Sequence, residues 1–255
     1  MWAGSRFAEL KDFLSHNDFD ILCFEEVAGV GAAGGNILSS RDFFTKDCFV
    51  ELQSVLGEGY ASELAIAQYM ASNPATAYFG NAIFYKKEFS LLQKDVLPLY
   101  TRDTPFPEDA KTFEKVGRNV LHLTLEKEDK KFEILCAHLA WGTTKKEESH
   151  QTKQNSMLAS YVQSLQQPWI AAGDFNIAPD QPSIIALEQY GHNLTKEHKV
   201  INTIDPTNHT RWEEFAPGEA IDYIFVSPDV QVEDFKVLDT VHMSDHYGLT
   251  ATVII

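Results

Sequence analysis

The stretch that most constrains the fold runs from Trp169 to Asp180 and reads WIAAGDFNIAPD. Its apolar start has the length and character of a buried strand, which Gly173 then ends. In extended backbone, residues two apart point to the same side, so Asp174 and Asn176 face beyond the strand end while the intervening phenylalanine turns back to the core. A carboxylate and a carboxamide at a strand tip suit a phosphate ester and its metal ion, although an ordinary Asp/Asn turn has the same sequence.

Four further stretches share this arrangement of an apolar strand that ends in polar groups able to handle phosphate. They are Phe24–Val27 (FEEV), Cys136–Leu139 (CAHL), Ile221–Ile224 (IDYI) and Met243–Gly248 (MSDHYG). Each alone has an ordinary structural interpretation as a solvated glutamate, a structural histidine or a polar turn. Asp222 is the exception, because an unpaired carboxylate inside an apolar strand is costly and needs a partner, for which a histidine is the natural candidate.

Hydrophobic periodicity predicts alternating strands and helices. Predicted helices start after Ser5, lie around 44–55, over 145–166 and near 182–190; predicted strands cover 20–24, 81–85, 118–126, 131–136, 169–172, 220–226 and 247–255. Residues 60–73 are predicted as a weak strand with a loop, and 97–115, with three prolines, as a surface loop. No repeat, linker or low-complexity tract divides the chain, so one layered α/β domain, 1–255, is predicted.

Charge and composition narrow the class of protein. Lys and Arg number 21 against 37 Asp and Glu, a net charge of -16, which argues against strong nonspecific binding to duplex nucleic acid. No apolar run approaches the length of a membrane span, so no integral membrane segment is expected. Three widely spaced cysteines without zinc spacing indicate reduced thiols. The start lacks the pattern of a signal peptide, and a cytoplasmic enzyme is expected.

Taken together and in this order, the five stretches resemble the endonuclease/exonuclease/phosphatase family, which includes pancreatic DNase. The resemblance covers roughly Asp20 to the C-terminus. It implies an α/β fold, a two-sheet α/β sandwich with helices on the outer faces and an active site where the strand ends converge. It also implies hydrolysis of a phosphate ester by in-line attack of an activated water, with Mg²⁺, or in its place Mn²⁺, as the cofactor.

The resemblance also assigns catalytic roles to individual residues. Asp174 and Asn176 match the pair that orients the attacking water and holds a phosphate oxygen. His138 matches a histidine that contacts the scissile phosphate. Asp222 matches the acid that pairs with the terminal histidine, which is His246. Either His246 or Asp174 is implied as the base that activates the water.

Metal and substrate residues follow from the same resemblance. Glu26 matches the metal-binding glutamate, and Asp245 matches a residue near the metal. Glu25 stands where glutamine is usual and adds negative charge. Arg118 matches a basic residue that approaches the substrate, and an ordinary surface strand residue is an equal interpretation.

One departure and two alternatives stay open. The family's first strand, with an asparagine that helps hold the metal, has no counterpart before Met1–Gly4, which predicts an N-terminally truncated domain with a weakened metal site. The substrate is either nucleic acid or a small or lipid-derived phosphodiester, and the acidity of the chain mildly favours the second.

The glycine-rich segment 29–35 is expected to border the site. If the protein is a phosphate-ester hydrolase, no protein partner is implied. The alternative hypothesis is a catalytically impaired member of the family that binds a phosphorylated ligand or a protein.

Overall fold

The computed structural model describes residues 6–29, 47–69, 78–101, 115–143, 146–209, 212–215 and 217–255. Several features of the sequence lie outside these residues. They are the Ser5 cap, the start Met1–Gly4, positions 30–35 of the glycine-rich segment, the end of the weak strand after 69, and residues 102–114 of the predicted surface loop.

The predicted helices and strands are confirmed in type, with ends shifted by a few residues. The helices are α1 (Phe7–His16), α2 (Cys48–Leu56), α3 (Ser149–Ser164), α4 (Pro182–Leu187), α5 (Leu194–Glu197) and α6 (Trp212–Phe215). The strands are β1 (Ile21–Gly29), β2 (Tyr60–Tyr69), β3 (Tyr78–Lys86), β4 (Ser90–Tyr100), β5 (Arg118–Lys127), β6 (Lys130–His138), β7 (Trp169–Asp174), β8 (His192–Asn193), β9 (Asp222–Val226), β10 (Gln231–Val237) and β11 (Leu249–Ile254).

In the described part of the chain the strands form two packed sheets and a hairpin. The small sheet has the order β1-β3-β2, the large sheet β4-β5-β6-β7-β9-β8, and the C-terminal hairpin pairs β10 with β11. Strands β6 and β7 are parallel, so α3 makes the crossover between them. The small sheet packs on the large one, with α1 and α2 outside the first and α3 and α4 outside the second. This confirms the two-sheet α/β sandwich with outer helices.

Alternation along β3 explains why the small sheet is covered on both faces. Ile83 and Tyr85 join the apolar core between the two sheets, while Ala82 and Phe84 join the core beneath α1 and α2. Successive side chains of a strand point to opposite faces, so a continuous apolar run fits a strand buried on both sides. Strand β6 shows the same division in the large sheet.

A polar contact crosses the apolar core between the sheets. The buried side chain of Asn81 donates from Nδ2 to the backbone oxygen of Asn119 at 2.8 Å and to its Oδ1 at 3.0 Å. Nδ2 of Asn119 in turn donates to the backbone oxygen of Ile66 at 3.1 Å. Because buried amides need partners, these bonds link the middle of the small sheet to β5 of the large sheet.

The prediction of a surface loop from Leu97 onward is wrong for its first residues. Residues 97–100 belong to β4, and Leu99 is buried. Strand β4 lies at the edge of the large sheet, where a proline such as Pro98 can face away from the ladder and most side chains meet solvent. The alternation that would have indicated a strand is therefore weak. Strand β10 was likewise not predicted.

Within the described residues, β1 and β11 each lie at an edge of their sheet and have one unpaired side. There β1 pairs only with β3, and β11 only with β10. On β7, Ile170 and Ala172 are only partly buried, whereas Trp169 and Ala171 are buried. The truncated N-terminus stays a prediction. None of the described helices has both the length and the apolarity to cross a membrane.

Candidate active site

The end of β7 lies unusually close to β6. Gly173 has a φ of 145°, and a Cβ at this position would lie 1.9 Å from the backbone oxygen of Ala137. Only glycine permits this approach, because any side chain would collide with that backbone. His138 and Asp174 are partners in the β6–β7 register, so the close contact brings their side chains to the same edge of the sheet.

Asp174 and Asn176 form a tight local unit. Oδ1 of Asp174 accepts the backbone N–H of Asn176 at 2.8 Å, and Oδ2 accepts its side-chain Nδ2 at 2.9 Å. The same Nδ2 donates to the backbone oxygen of Leu139 at 3.0 Å, which uses its second hydrogen. Asn176 has a φ of 55°, a left-handed conformation that asparagine tolerates better than most residues. Phe175 is fully buried, as the alternation predicted.

Asp222 pairs with His246, as its burial required. Nδ1 of His246 lies 2.9 Å from Oδ2 and 3.1 Å from Oδ1 of Asp222. The hydroxyl of Thr203, a fully buried residue, donates to the same carboxylate and accepts the backbone N–H of Asp222 at 3.2 Å. A short bridge between Ile204 and His246 joins this loop to the C-terminal segment. The imidazole of His246 is therefore held by a carboxylate, and its backbone by the bridge.

The two halves of the site are electrostatically coupled. Burial raises the pKa of Asp174 well above its usual range, and the nearby carboxylate of Asp222 adds to this while His246 opposes it. For His246, burial disfavours the charged form, but the carboxylates of Asp222, Asp245 and Asp174 outweigh burial and hold its pKa well above the usual value. The site thus pairs a basic carboxylate with a protonated imidazole.

His138 and Arg118 line the same edge and are both buried. Nε2 of His138 lies 3.7 Å from Oδ2 of Asp174. Burial, the charge of Arg118 and that of His246 hold the pKa of His138 well below its usual value, so this imidazole is neutral. Nε of Arg118 donates to the backbone oxygen of Leu139 at 3.1 Å, and its guanidinium lies 5.7 Å from the ring centre of Phe79.

Arg118 is therefore not a surface strand residue. Burial lowers its pKa, and the carboxylates of Glu26 and Asp174 oppose that shift. An arginine keeps its charge in proteins, so a fixed cation faces the carboxylates of both sheets. This placement agrees with the predicted approach of Arg118 to an anionic substrate, although its role stays a prediction.

The carboxylates of β1 lie at an irregularity of the strand. The β1–β3 register shifts between Phe24 and Val27, and Glu26 has a φ of 54°, as expected for a β-bulge that redirects side chains. Burial raises the pKa of Glu25 to about 7, with a further contribution from Asp222. Glu25 also accepts the thiol hydrogen of Cys136 at 3.5 Å. Glu25 thus interacts electrostatically with Asp222, and Glu26 with Arg118.

Divalent-cation binding fits the donors that converge here. Among the described residues, Asp174, Asp222 and His246 each offer a ligand atom within 4.8 Å of the others. Asp245 joins a second such group, and Glu26 joins neither. The pKa of Asp174 is also raised by Glu25, so three carboxylates crowd a buried edge. Crowded carboxylate oxygens are the environment that Mg²⁺ prefers, and a bound cation would relieve their repulsion.

Sequence reasoning missed residues that act through tertiary contacts. Thr203 supports Asp222, and Gln151 donates to the backbone oxygen of Asn176 at 2.7 Å. The ring of His209 lies 5.9 Å from that of His246, centre to centre. Thr203 and His209 lie in irregular segments, where no periodic pattern marks them. Gln151 lies on α3 among other polar residues, and its burial alone distinguishes it.

Solved structures with the same fold support the architecture. The chain has a TM-score of 0.69 to an endonuclease/exonuclease/phosphatase from Bacteroides vulgatus, with 17% identity, covering 98% of this chain and 90% of that one. A mannosyl-6-phosphatase from Bacteroides thetaiotaomicron gives a TM-score of 0.67 with 18% identity, covering 99% and 92%. TDP2 from D. rerio, complexed with a single-strand DNA product, gives 0.65 with 15% identity, covering 100% and 94%. A comparison with curated proteins gives no match.

The sequence itself settles the family. The profile of the endonuclease/exonuclease/phosphatase family matches residues 2–246, which includes every strand end that contributes to the candidate site. The match therefore extends over nearly the whole chain and ends at His246. The chain belongs to the endonuclease/exonuclease/phosphatase family, a family of phosphoester hydrolases.

Proposed function

We propose that this protein is a Mg²⁺-dependent hydrolase that cleaves a phosphate ester by in-line attack of water. The observation that carries the proposal is the convergence of the Asp222–His246 pair with the Asp174–Asn176 unit at one edge of the large sheet. A protonated imidazole beside a basic carboxylate supplies a stabiliser of negative charge and an acceptor for the proton of the attacking water.

Each of the chain's own residues has a distinct part in this proposal. Asp174 accepts the proton of the water, because its pKa is raised and it lies at the end of β7 close to His246. Asn176 is a positioning residue, since both hydrogens of its amide are used to hold Asp174 and Leu139. His246, held by Asp222, donates to the phosphate oxygens as negative charge develops.

As the family resemblance implies, the metal ion would be held by Glu26 and Asp245. Among the described residues, Asp245 belongs to the donor group with His209 and His246, Glu26 belongs to neither group, and Asp174 and Asp222 offer further oxygens at the same edge. Glu25 adds negative charge near Asp222. The chemistry that Mg²⁺ supplies in such a site is polarisation of the phosphoryl oxygens and stabilisation of the leaving oxygen. Arg118 adds a fixed positive charge near Asp174 that suits an anionic substrate.

The substrate class follows from charge. With a net charge of -16, the chain repels a long polyanion, so we propose a small or lipid-derived phosphate ester before nucleic acid. One solved neighbour is a mannosyl-6-phosphatase, whereas another was complexed with a DNA product, so the fold accommodates either class. A faster turnover of an oligonucleotide than of small esters would contradict this choice.

Removing the metal tests the proposal directly. We expect turnover of bis-p-nitrophenyl phosphate in Mg²⁺ or Mn²⁺, loss of turnover with EDTA, and recovery when excess Mg²⁺ is added back. Release of p-nitrophenolate is the readout. Activity that survives EDTA would contradict metal dependence. A folded protein that turns over neither this diester nor p-nitrophenyl phosphate in either metal would favour the binding-only alternative.

The pH profile tests the Asp222–His246 pair. Because Asp222 raises the pKa of His246, the alkaline limb of kcat/KM is expected above the ordinary histidine pKa of about 6.5. Asp222→Asn removes the negative charge, so the pKa of His246 falls and the alkaline limb moves to lower pH. An unmoved limb would show that another group sets it. Asp180→Asn, in an exposed turn, is the matched control.

A further inference from the structure

The loop that follows Thr203 brings a second imidazole to the edge of the candidate site. His209, Asp245 and His246 each offer a ligand atom, and these atoms all lie within 4.8 Å of one another. Asp245 is buried, and the two histidines are partly exposed. Two imidazoles and one carboxylate form a donor set unlike the oxygen-only set that Mg²⁺ prefers, and imidazole is a ligand characteristic of zinc.

A buried carboxylate fixes the loop that carries His209. Asp205 is fully buried and accepts the backbone N–H of Thr207, Nδ2 of Asn208 and Nδ1 of His242, each at 2.8 Å. These contacts tie the residues before His209 to one another and to the segment that precedes Asp245. The carboxylate thus orders the loop without taking part in the proposed hydrolysis.

The backbone joins the same two segments. The N–H of Asp205 donates to the backbone oxygen of Asp245 at 2.8 Å, and Nδ2 of Asn208 donates to that of Ser244 at 3.0 Å. His209 is therefore presented from a loop that is bonded to the segment bearing the other two donors. Preorganisation of this kind lowers the cost of gathering ligands around an ion.

Asp222 prepares His246 for metal binding as well as for catalysis. It accepts the hydrogen of Nδ1, so Nε2 is the nitrogen that faces a ligand, and zinc binding there releases the proton that Nε2 carries in the metal-free site. Metal-binding histidines commonly donate their other ring hydrogen to a carboxylate, which fixes the ring and raises its basicity. The Asp222–His246 pair has this arrangement.

We propose that His209, Asp245 and His246 form a zinc site, and that zinc bound there inhibits the enzyme. Zinc bonds of about 2.0–2.2 Å in a tetrahedron place ligand atoms roughly 3.3–3.6 Å apart, so small side-chain rotations close the observed separations. A water completes the four ligands. Zinc occupies Nε2 of His246 and withdraws Asp245 from the magnesium site. Zinc binding depends only on the geometry of the three donors, whereas its inhibitory effect rests on the proposed function.

Binding of zinc alone, without substrate, tests the site. In competition with a chromophoric chelator, we expect one zinc ion per chain for the native protein. Loss of an outer partner of a zinc ligand typically costs 10- to 100-fold in affinity, so His209→Ala, which removes a ligand, is expected to cost at least about 100-fold. Asp222→Asn, which removes the outer partner of His246, is expected to cost about 10- to 100-fold.

The matched control for these variants is His192→Ala, because His192 lies on β8 at the surface, with its Nδ1 3.0 Å from Oε1 of Glu197. Its zinc affinity is expected to equal that of the native protein. Absence of tight binding by the native protein, or an unchanged affinity in His209→Ala, would overturn the site.

Inhibition is measured separately, with each variant compared with its own zinc-free rate at saturating Mg²⁺. We expect stoichiometric zinc to abolish turnover of the native protein and to leave most of the turnover of His209→Ala. Equal inhibition of both would overturn the inhibitory role. If Mg²⁺ supports no turnover at all, the proposed hydrolase fails, while the binding experiment still decides whether the zinc site exists.

Discussion

Replacement of His246 by alanine is expected to lower kcat/KM for bis-p-nitrophenyl phosphate by at least about 10³-fold. The imidazole carries a positive charge that Asp222 maintains, and it lies beside the carboxylate that we propose as the base. A charged donor aimed at developing negative charge is worth about 10²–10³-fold alone, and if His246 rather than Asp174 takes the proton, loss of proton transfer adds to this. Such a loss corresponds to about 4 kcal/mol of transition-state stabilisation.

The control for His246→Ala is again His192→Ala, which removes an exposed imidazole outside the site. Thermal unfolding of both variants separates a catalytic defect from a folding defect. A decrease in kcat/KM of less than about tenfold, in a variant that melts like the native protein, would remove His246 from the catalytic machinery.

Asp174→Asn is expected to lower kcat by about 10²–10⁴-fold, the usual worth of a general base. The asparagine has the same shape and can still accept the backbone N–H of Asn176, but it loses the basic carboxylate. Asp180→Asn makes the same chemical change in the exposed turn that follows and should leave kcat within about twofold, since surface substitutions away from special features have small effects.

The pH profiles of the two variants show whether Asp174 or His246 is the base. If Asp174 is the base, the acid limb of the pH profile disappears in Asp174→Asn and persists in His246→Ala. If His246 is the base, the reverse holds. An Asp174→Asn variant with native kcat would contradict the assignment of Asp174 and leave His246 as the group that takes the proton.

The sequence was most informative where burial leaves few options. An apolar strand with an acid inside it required a partner for Asp222, and the structure supplies His246. Alternation placed Phe175 in the core and left Asp174 at the strand end. These inferences rest on the free-energy cost of burying a charge and on the two-residue repeat of side chains along a strand. Both can be recognised from a stretch of only a few residues.

The sequence was least informative where a role depends on distant partners. Strand β4 lacks clear alternation because it is an edge strand with most side chains in solvent. The burial of Arg118 depends on Phe79 and on the backbone of Leu139, which are remote in sequence. His209 lies near His246 because Asp205, Asn208 and the bridge between Ile204 and His246 join the two segments. No local pattern encodes such contacts.

The buried amides of Asn81 and Asn119 determine how far one sheet can slide over the other. Apolar side chains attract at almost any lateral offset, because the hydrophobic effect has no direction. The hydrogen bonds of the side-chain amides form at a single offset. Slippage of the sheets would leave buried amide donors unpaired, at a cost of about 1–3 kcal/mol each. Asn119 is also the register partner of His138. The same bonds therefore set the translation of β1, with its two glutamates, relative to the strand ends of the large sheet.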